Sequence, residues 1–85
     1  MIDEMSPVAL YMQVADLLEA RIRSGEFQPR QLLPSEPHIQ QEYGVARGTV
    51  RAALRLLRER GLVVTLPARG TYVADETPRS GTQGG

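Results

Sequence analysis

Tyr43-Gly44-Val45-Ala46-Arg47-Gly48-Thr49-Val50-Arg51-Ala52-Ala53-Leu54 is the stretch that decides how this chain folds. From Val50 onward the apolar residues Ala53, Leu54 and Leu57 return at the helical period as far as Arg60, and Gly61 supplies a left-handed stop. That helix has to begin within two or three residues of Gly44, which itself ends the helix before it. Upstream, Ser35 reads as the cap of a short helix from Glu36 to Tyr43, with Ile39 and Tyr43 on one face and Pro37 tolerated in the first turn. Two helices joined by a tight turn containing glycine make a helix-turn-helix.

Towards the N-terminus, Ser6 is placed to cap a first helix with Pro7 at its first position, running to about Ser24. Leu10, Val14, Leu17, Leu18 and Ile22 draw one apolar stripe along it, Asp16, Glu19 and Arg23 face away, and Gly25 stops it. Phe27 to Gln31 read as a loop, and Leu32-Leu33 before Pro34 has room for a very short strand. After Gly61 the period changes from 3.6 to 2. Leu62, Val64 and Leu66 alternate with Val63 and Thr65, Pro67-Ala68-Arg69-Gly70 makes a turn, and Thr71-Tyr72-Val73-Ala74 is rich in strand formers. The expected fold is mainly α with a small β-hairpin: a winged helix-turn-helix of three helices and a two-stranded wing. Residues 1–5 are expected to be flexible, 6–74 to form the domain, and 75–85 to be a disordered tail.

At 85 residues there is material for one core, and 41% apolar with 24% charged residues is an ordinary globular balance. The chain has no cysteine, so neither a disulfide framework nor a thiolate metal site is available to stabilise it. His38 is the single histidine, without a second ligand at usable spacing, and there is no Ser-His-Asp set or glycine-rich phosphate loop. An enzyme is not expected, nor a metal or a cofactor. Met1-Ile2-Asp3-Glu4 is acidic where a signal peptide is basic, and no apolar run reaches the roughly 20 residues that cross a bilayer. A soluble cytoplasmic protein without a membrane partner is the expectation.

The net charge of zero conceals an asymmetry. Residues 1–43 carry three arginines against seven carboxylates, whereas residues 44–71 carry six arginines against Glu59 alone. Arg47, Arg51, Arg55 and Arg58 fall at helical spacing and form one stripe beside the apolar one. An arginine row is often only the solvated face of an amphipathic helix. Here it starts at the N-terminal end of the second helix of a helix-turn-helix, where the helix dipole and free N–H groups also favour phosphate. Because a groove admits about two turns of helix, Arg47, Gly48, Thr49 and Arg51 lie within reach of base edges, and Gly48 would let the helix approach closely. Arg55 is left to phosphate, and Arg58 to phosphate or, more simply, to solvent. Arg69 beside Gly70 suits a wing tip that reaches the backbone or the adjacent minor groove. Double-stranded DNA is the expected partner.

These residues resemble the N-terminal domain of the GntR family of bacterial transcription regulators. The resemblance covers nearly the whole folded length, through Leu10 to Ala15, Ile22 to Pro29, Leu33 to Glu36, Tyr43 to Leu54, Gly61 to Val63 and Arg69 to Val73. It implies a cytoplasmic, nucleoid-associated repressor that binds a palindromic operator as a homodimer, at least on DNA. It places Ser35, Ala46, Arg47, Gly48, Thr49, Arg51, Ala68, Arg69 and Gly70 at the DNA. The sequence departs from the family pattern at Pro37, where an arginine is usual, at Ala46, where a Ser or Thr caps the helix, at Gln40, and at Ala68, usually glycine. Those departures imply weaker binding or altered specificity, and they motivate an alternative: a winged-helix module for protein interaction with weak or no DNA binding. Family members also carry a C-terminal effector domain, for which the residues after Ala74 are too few. The chain is thus expected to be either a fragment of a longer regulator or a minimal member that dimerises weakly or only on DNA.

Overall fold

The computed structural model describes residues 2–6 and 8–75. Three helices, α1 (Leu10–Arg23), α2 (Glu36–Tyr43) and α3 (Arg47–Glu59), are followed by an antiparallel hairpin, β1 (Val63–Leu66) and β2 (Gly70–Val73). This is the winged helix-turn-helix expected from the sequence. Val14, Ala15, Leu18 and Ile22 of α1 pack on Val50, Ala53, Leu54 and Leu57 of α3, with Ile39 of α2 closing the same core. Full burial of each such aliphatic side chain stabilises the fold by about 1.5–3 kcal/mol. No helix among the described residues is long and apolar enough to cross a membrane.

The glycine punctuation is as read. Gly44 caps α2 in the left-handed conformation at φ 66°, and Gly61, at φ 77°, follows α3. The start of α1 is not as expected. The helix begins at Leu10 with Ala9 in the cap position, and Ser6 Oγ instead accepts the Val8 N–H at 3.1 Å. Asp3 makes two local turns, its carbonyl accepting from Ser6 and its carboxylate from Met5. These local side-chain and turn bonds compete with helical ones and delay the helix by a turn. Gln13 then does the tying, its amide donating to the carbonyls of Asp3 (2.9 Å) and Val8 (2.8 Å) while its oxygen accepts the Asp3 N–H (2.7 Å). Pro7, expected at the first helical position, lies outside the described residues, as do 76–85 of the expected tail.

The hairpin pairs Val63 with Val73, Val64 with Tyr72, Thr65 with Thr71 and Leu66 with Gly70. Leu32 makes the anticipated short third strand as a single bridge to Tyr72, supported by Leu33 N–H to the Thr71 carbonyl at 2.8 Å. Only the base of the hairpin reaches the core. Val63 and Val73 are buried, while Val64 and Leu66 remain 46% and 41% exposed because the wing projects beyond the helices.

A polar clamp joins α1 to the end of α3. Arg60 donates to Asp16 at 3.0 Å and to Glu19 at 2.6 Å, and Glu19 also accepts from Arg23 at 2.7 Å. Burial would push the Glu19 carboxyl up, but the hydrogen bonds from Arg23 and Arg60 outweigh it and hold it below its ordinary value of 4.5. A lowered folded-state value means stabilisation that is present above the ordinary value and lost as pH falls through the folded one. Glu19→Gln is expected to cost about 0.5–1 kcal/mol near neutral pH. In denaturant melts across pH, the gap to the unmodified chain closes at acid pH, below 4.5; a gap independent of pH refutes the clamp.

Candidate nucleic-acid interface

The outward face of α3 is what remains after its apolar face is buried. Arg47 and Arg51 stand on its first turns with side chains 63% and 62% exposed. Both approach one carboxylate oxygen, Glu36 Oε1, at 3.7 and 3.5 Å from their Nε atoms. Glu36 opens α2, so the start of one helix holds a counter-charge against the two arginines of the next. At these lengths and exposures the pairs are loose, each worth well under about 1 kcal/mol, and they leave most of each guanidinium turned to solvent. Sequence reading missed Glu36, which was treated only as a first-turn residue. Its signal was spacing: the turn after Gly44 folds the α3 N-terminus back over the α2 N-terminus.

Gly48 lies within α3, and a Cβ built on it meets nothing within 4 Å. No close packing inside the chain requires glycine there, although glycine in a helix costs about 0.5–1 kcal/mol relative to alanine. Thr49 is half-buried beside it, and Arg55, further along the same face, is exposed with no hydrogen-bond or ion-pair partner among the described residues. Ala46 caps α3 with an extended backbone (φ −71°, ψ 157°) and no side-chain bond. By contrast Ser35 caps α2, its Oγ accepting the His38 N–H at 3.3 Å.

At the wing tip Ala68 adopts the left-handed conformation, φ 64°, and the Arg69 N–H closes the turn on the Leu66 carbonyl at 3.0 Å. The Arg69 side chain is exposed and without a partner among the described residues. Gly70 has a structural reason of its own: at φ 123° an added Cβ would sit 2.9 Å from Leu32 Cδ1. Ser35 and Glu36 on one side and Ala68, Arg69 and Gly70 on the other line a single groove between α2 and the wing. The candidates therefore form two groups, one converging on Glu36 and one across this groove, with Arg55 outside both. Arg58, left mainly to solvent by the sequence reading, instead donates from Nη1 to Thr65 Oγ1 on β1 at 3.0 Å. An exposed basic helix end, a capped second helix and an arginine-tipped hairpin together present a surface suited to a polyanion with a groove.

Comparison with known proteins gives a consistent result. The model of the family described as bacterial regulatory proteins, gntR family, matches residues 10–73. The chain is 39% identical over 83 residues to the HTH-type transcriptional repressor NagR of Bacillus subtilis (strain 168), covering 98% of this chain and 34% of that protein. It is 45% identical over 67 residues to the mannosyl-D-glycerate transport/metabolism system repressor MngR of Escherichia coli (strain K12), covering 79% and 28% respectively. The chain thus spans about a third of the length of these curated relatives. Among solved structures it superposes on YtrA from Sulfolobus acidocaldarius, a GntR-family transcription factor, with a TM-score of 0.81 at 32% identity, over 91% of this chain and 81% of that one. It also superposes on AraR(DBD) in complex with operator ORR3 with a TM-score of 0.74 at 35% identity, over 81% and 86%.

The Ala46 backbone already has the shape in which a hydroxyl reaches the free N–H groups of the first turn. Ala46→Ser is expected to add about 1 kcal/mol of stability. In a thermal melt of a domain this small that is a rise of about 4–8 °C; an unchanged melting temperature means that no N–H is available to the serine.

Proposed function

This chain belongs to the gntR family of bacterial regulatory proteins, and on that premise we propose that it binds double-stranded DNA of specific sequence and acts as a transcriptional repressor. The observation that carries the reading is the outward face of α3: Arg47, Gly48 and Arg51 exposed at its N-terminal end, opposite a face buried completely. The N-terminal half of this helix enters the major groove. Arg47 and Arg51 offer the forked pair of N–H donors that matches O6 and N7 of guanine. Thr49 contacts backbone, Gly48 admits close approach, and Arg55 meets phosphate. Ser35, Ala46 and the tip residues Ala68, Arg69 and Gly70 flank the same strand, Arg69 reaching phosphate or the minor groove.

Binding as a homodimer to a palindromic operator fits a reading head whose single surface is small, since two copies on one duplex multiply their effective concentration. Repression follows from occupancy of the operator, and two of the similar curated proteins are themselves named repressors. Glu36 tempers the electrostatics. With its carboxylate between the two arginines, less of the affinity comes from net charge and more from directed hydrogen bonds.

The test is selection of duplexes from a random-sequence pool, followed by titration of the winner at several salt concentrations. Arg47→Ala and Arg51→Ala are each expected to lose about 1–3 kcal/mol of specific binding and to relax preference at one base position. Gly48→Ala separates reading from folding. It is expected to stabilise the free chain by about 0.5–1 kcal/mol, by helix propensity, while weakening binding. No enriched duplex, together with capture of a protein in its place, would favour an interaction module over a DNA reader.

A further inference from the structure

Arg58 sits in the last turn of α3, eleven residues after Arg47 and so roughly 16 Å further along the axis. Its Nη1 donates to Thr65 Oγ1 at 3.0 Å, and Thr65 shares a hydrogen bond of 3.1 Å with Thr71 Oγ1 on the opposite strand. The Thr71 carbonyl in turn accepts the Leu33 N–H at 2.8 Å. A continuous path thus runs from the recognition helix through β1 and β2 to the strand segment before α2. Among the described residues no other side-chain hydrogen bond or ion pair joins α3 to the hairpin.

The place of this bond matters because the wing is otherwise fixed only at its base. Val63 and Val73 are buried there, and the Ala74 N–H closes on the Leu62 carbonyl at 2.9 Å. Beyond that point Val64 and Leu66 are exposed, and the hairpin stands clear of the helices. Thr65 lies two residues nearer the tip than Val63, paired with Thr71, which adjoins Gly70. A tether at Thr65 halves the unsupported length of the hairpin. It also joins the tip to the element that carries Arg47 and Arg51.

We propose that Arg58 is a positioning residue for DNA recognition, setting through Thr65 where the wing-tip Arg69 stands relative to the reading arginines of α3. The inference rests on the DNA-binding function proposed above. Arg58 contacts no nucleotide in this assignment; its effect on binding passes wholly through the wing. The planar fork suits the task, because one N–H satisfies Thr65 while the others stay hydrated.

The experiment is a double-mutant cycle on the duplex that the unmodified chain selects from a random pool, with Arg58→Ala, Thr65→Val and Arg69→Ala singly and in pairs. Thr65→Val keeps shape and strand propensity and removes only the hydroxyl, so it tests the bond from the other end. Arg58→Ala and Thr65→Val are each expected to weaken binding about fivefold, the scale of one hydrogen bond. Their pair should be no weaker than either alone, and neither should add to Arg69→Ala. The slope of affinity with salt stays unchanged in Arg58→Ala, since no phosphate contact is removed. In the DNA-free chain, amide relaxation should report greater mobility at Ala68 to Gly70 in both variants. Multiplying losses, a salt slope lowered by about one phosphate, or unaltered wing amides would each overturn the assignment. If the unmodified chain selects no duplex, it is the DNA-binding reading that fails, and the wing amides alone still decide whether Arg58 tethers the wing.

Discussion

Val50, Ala53, Leu54 and Leu57 commit one side of α3 to the core, locked against Val14, Leu18 and Ile22 of α1. Once that packing is made, the helix has no rotational freedom left. Whatever stands opposite those four residues must face outward, at a fixed height and angle above the rest of the domain. The arginine row is therefore a consequence of the apolar row. A one-residue shift of the apolar pattern would turn the arginines by about 100° and bury charge against Leu18, which no small fold tolerates. The polar clamp of Arg60 on Asp16 and Glu19 fixes the same pair of helices from the solvent side.

What the sequence made legible is what obeys short-range rules. The period of α3, the stops at Gly44 and Gly61 and the change to alternation after Gly61 depend on a few neighbouring residues, and the structure carries each of them. The start of α1 was misread because Ser6 has two uses, capping a helix or bonding within a turn, and the choice was made by Gln13, out of reach of any local pattern. Glu36 and Arg58 were passed over for a related reason. Their partners lie fifteen and seven residues away and become neighbours only when the turn and the hairpin have formed. For the candidate site, the residues were legible and their organisation was not: which arginines share a carboxylate and which one is spent on the wing are matters of tertiary contact.

The neutral total charge takes on a different meaning in this light. Acidic residues are concentrated on the helices behind α3, where Glu19, Glu26 and Glu42 serve arginines of the scaffold, Arg23, Arg60 and Arg21. Within the Debye length of about 8 Å at physiological salt, a partner approaching α3 meets the local field and little of the acidic rear. Glu36 is the exception, placed at the front. A surface so arranged orients a charged partner without attracting polyanions indiscriminately from a distance.

Ala68 holds a backbone conformation that glycine enters freely and that costs an alanine roughly 1–2 kcal/mol. The same methyl group removes most of the alternative conformations a glycine there would visit. A hairpin tipped by glycine remoulds itself against whatever it meets and gives up conformational entropy in doing so. This tip comes already set, and with less disorder to lose it acts as a template, not an adaptor. Its tolerance for variation in the width of a facing groove is correspondingly narrow, so that a single methyl group converts the wing from a general clasp into a gauge of shape.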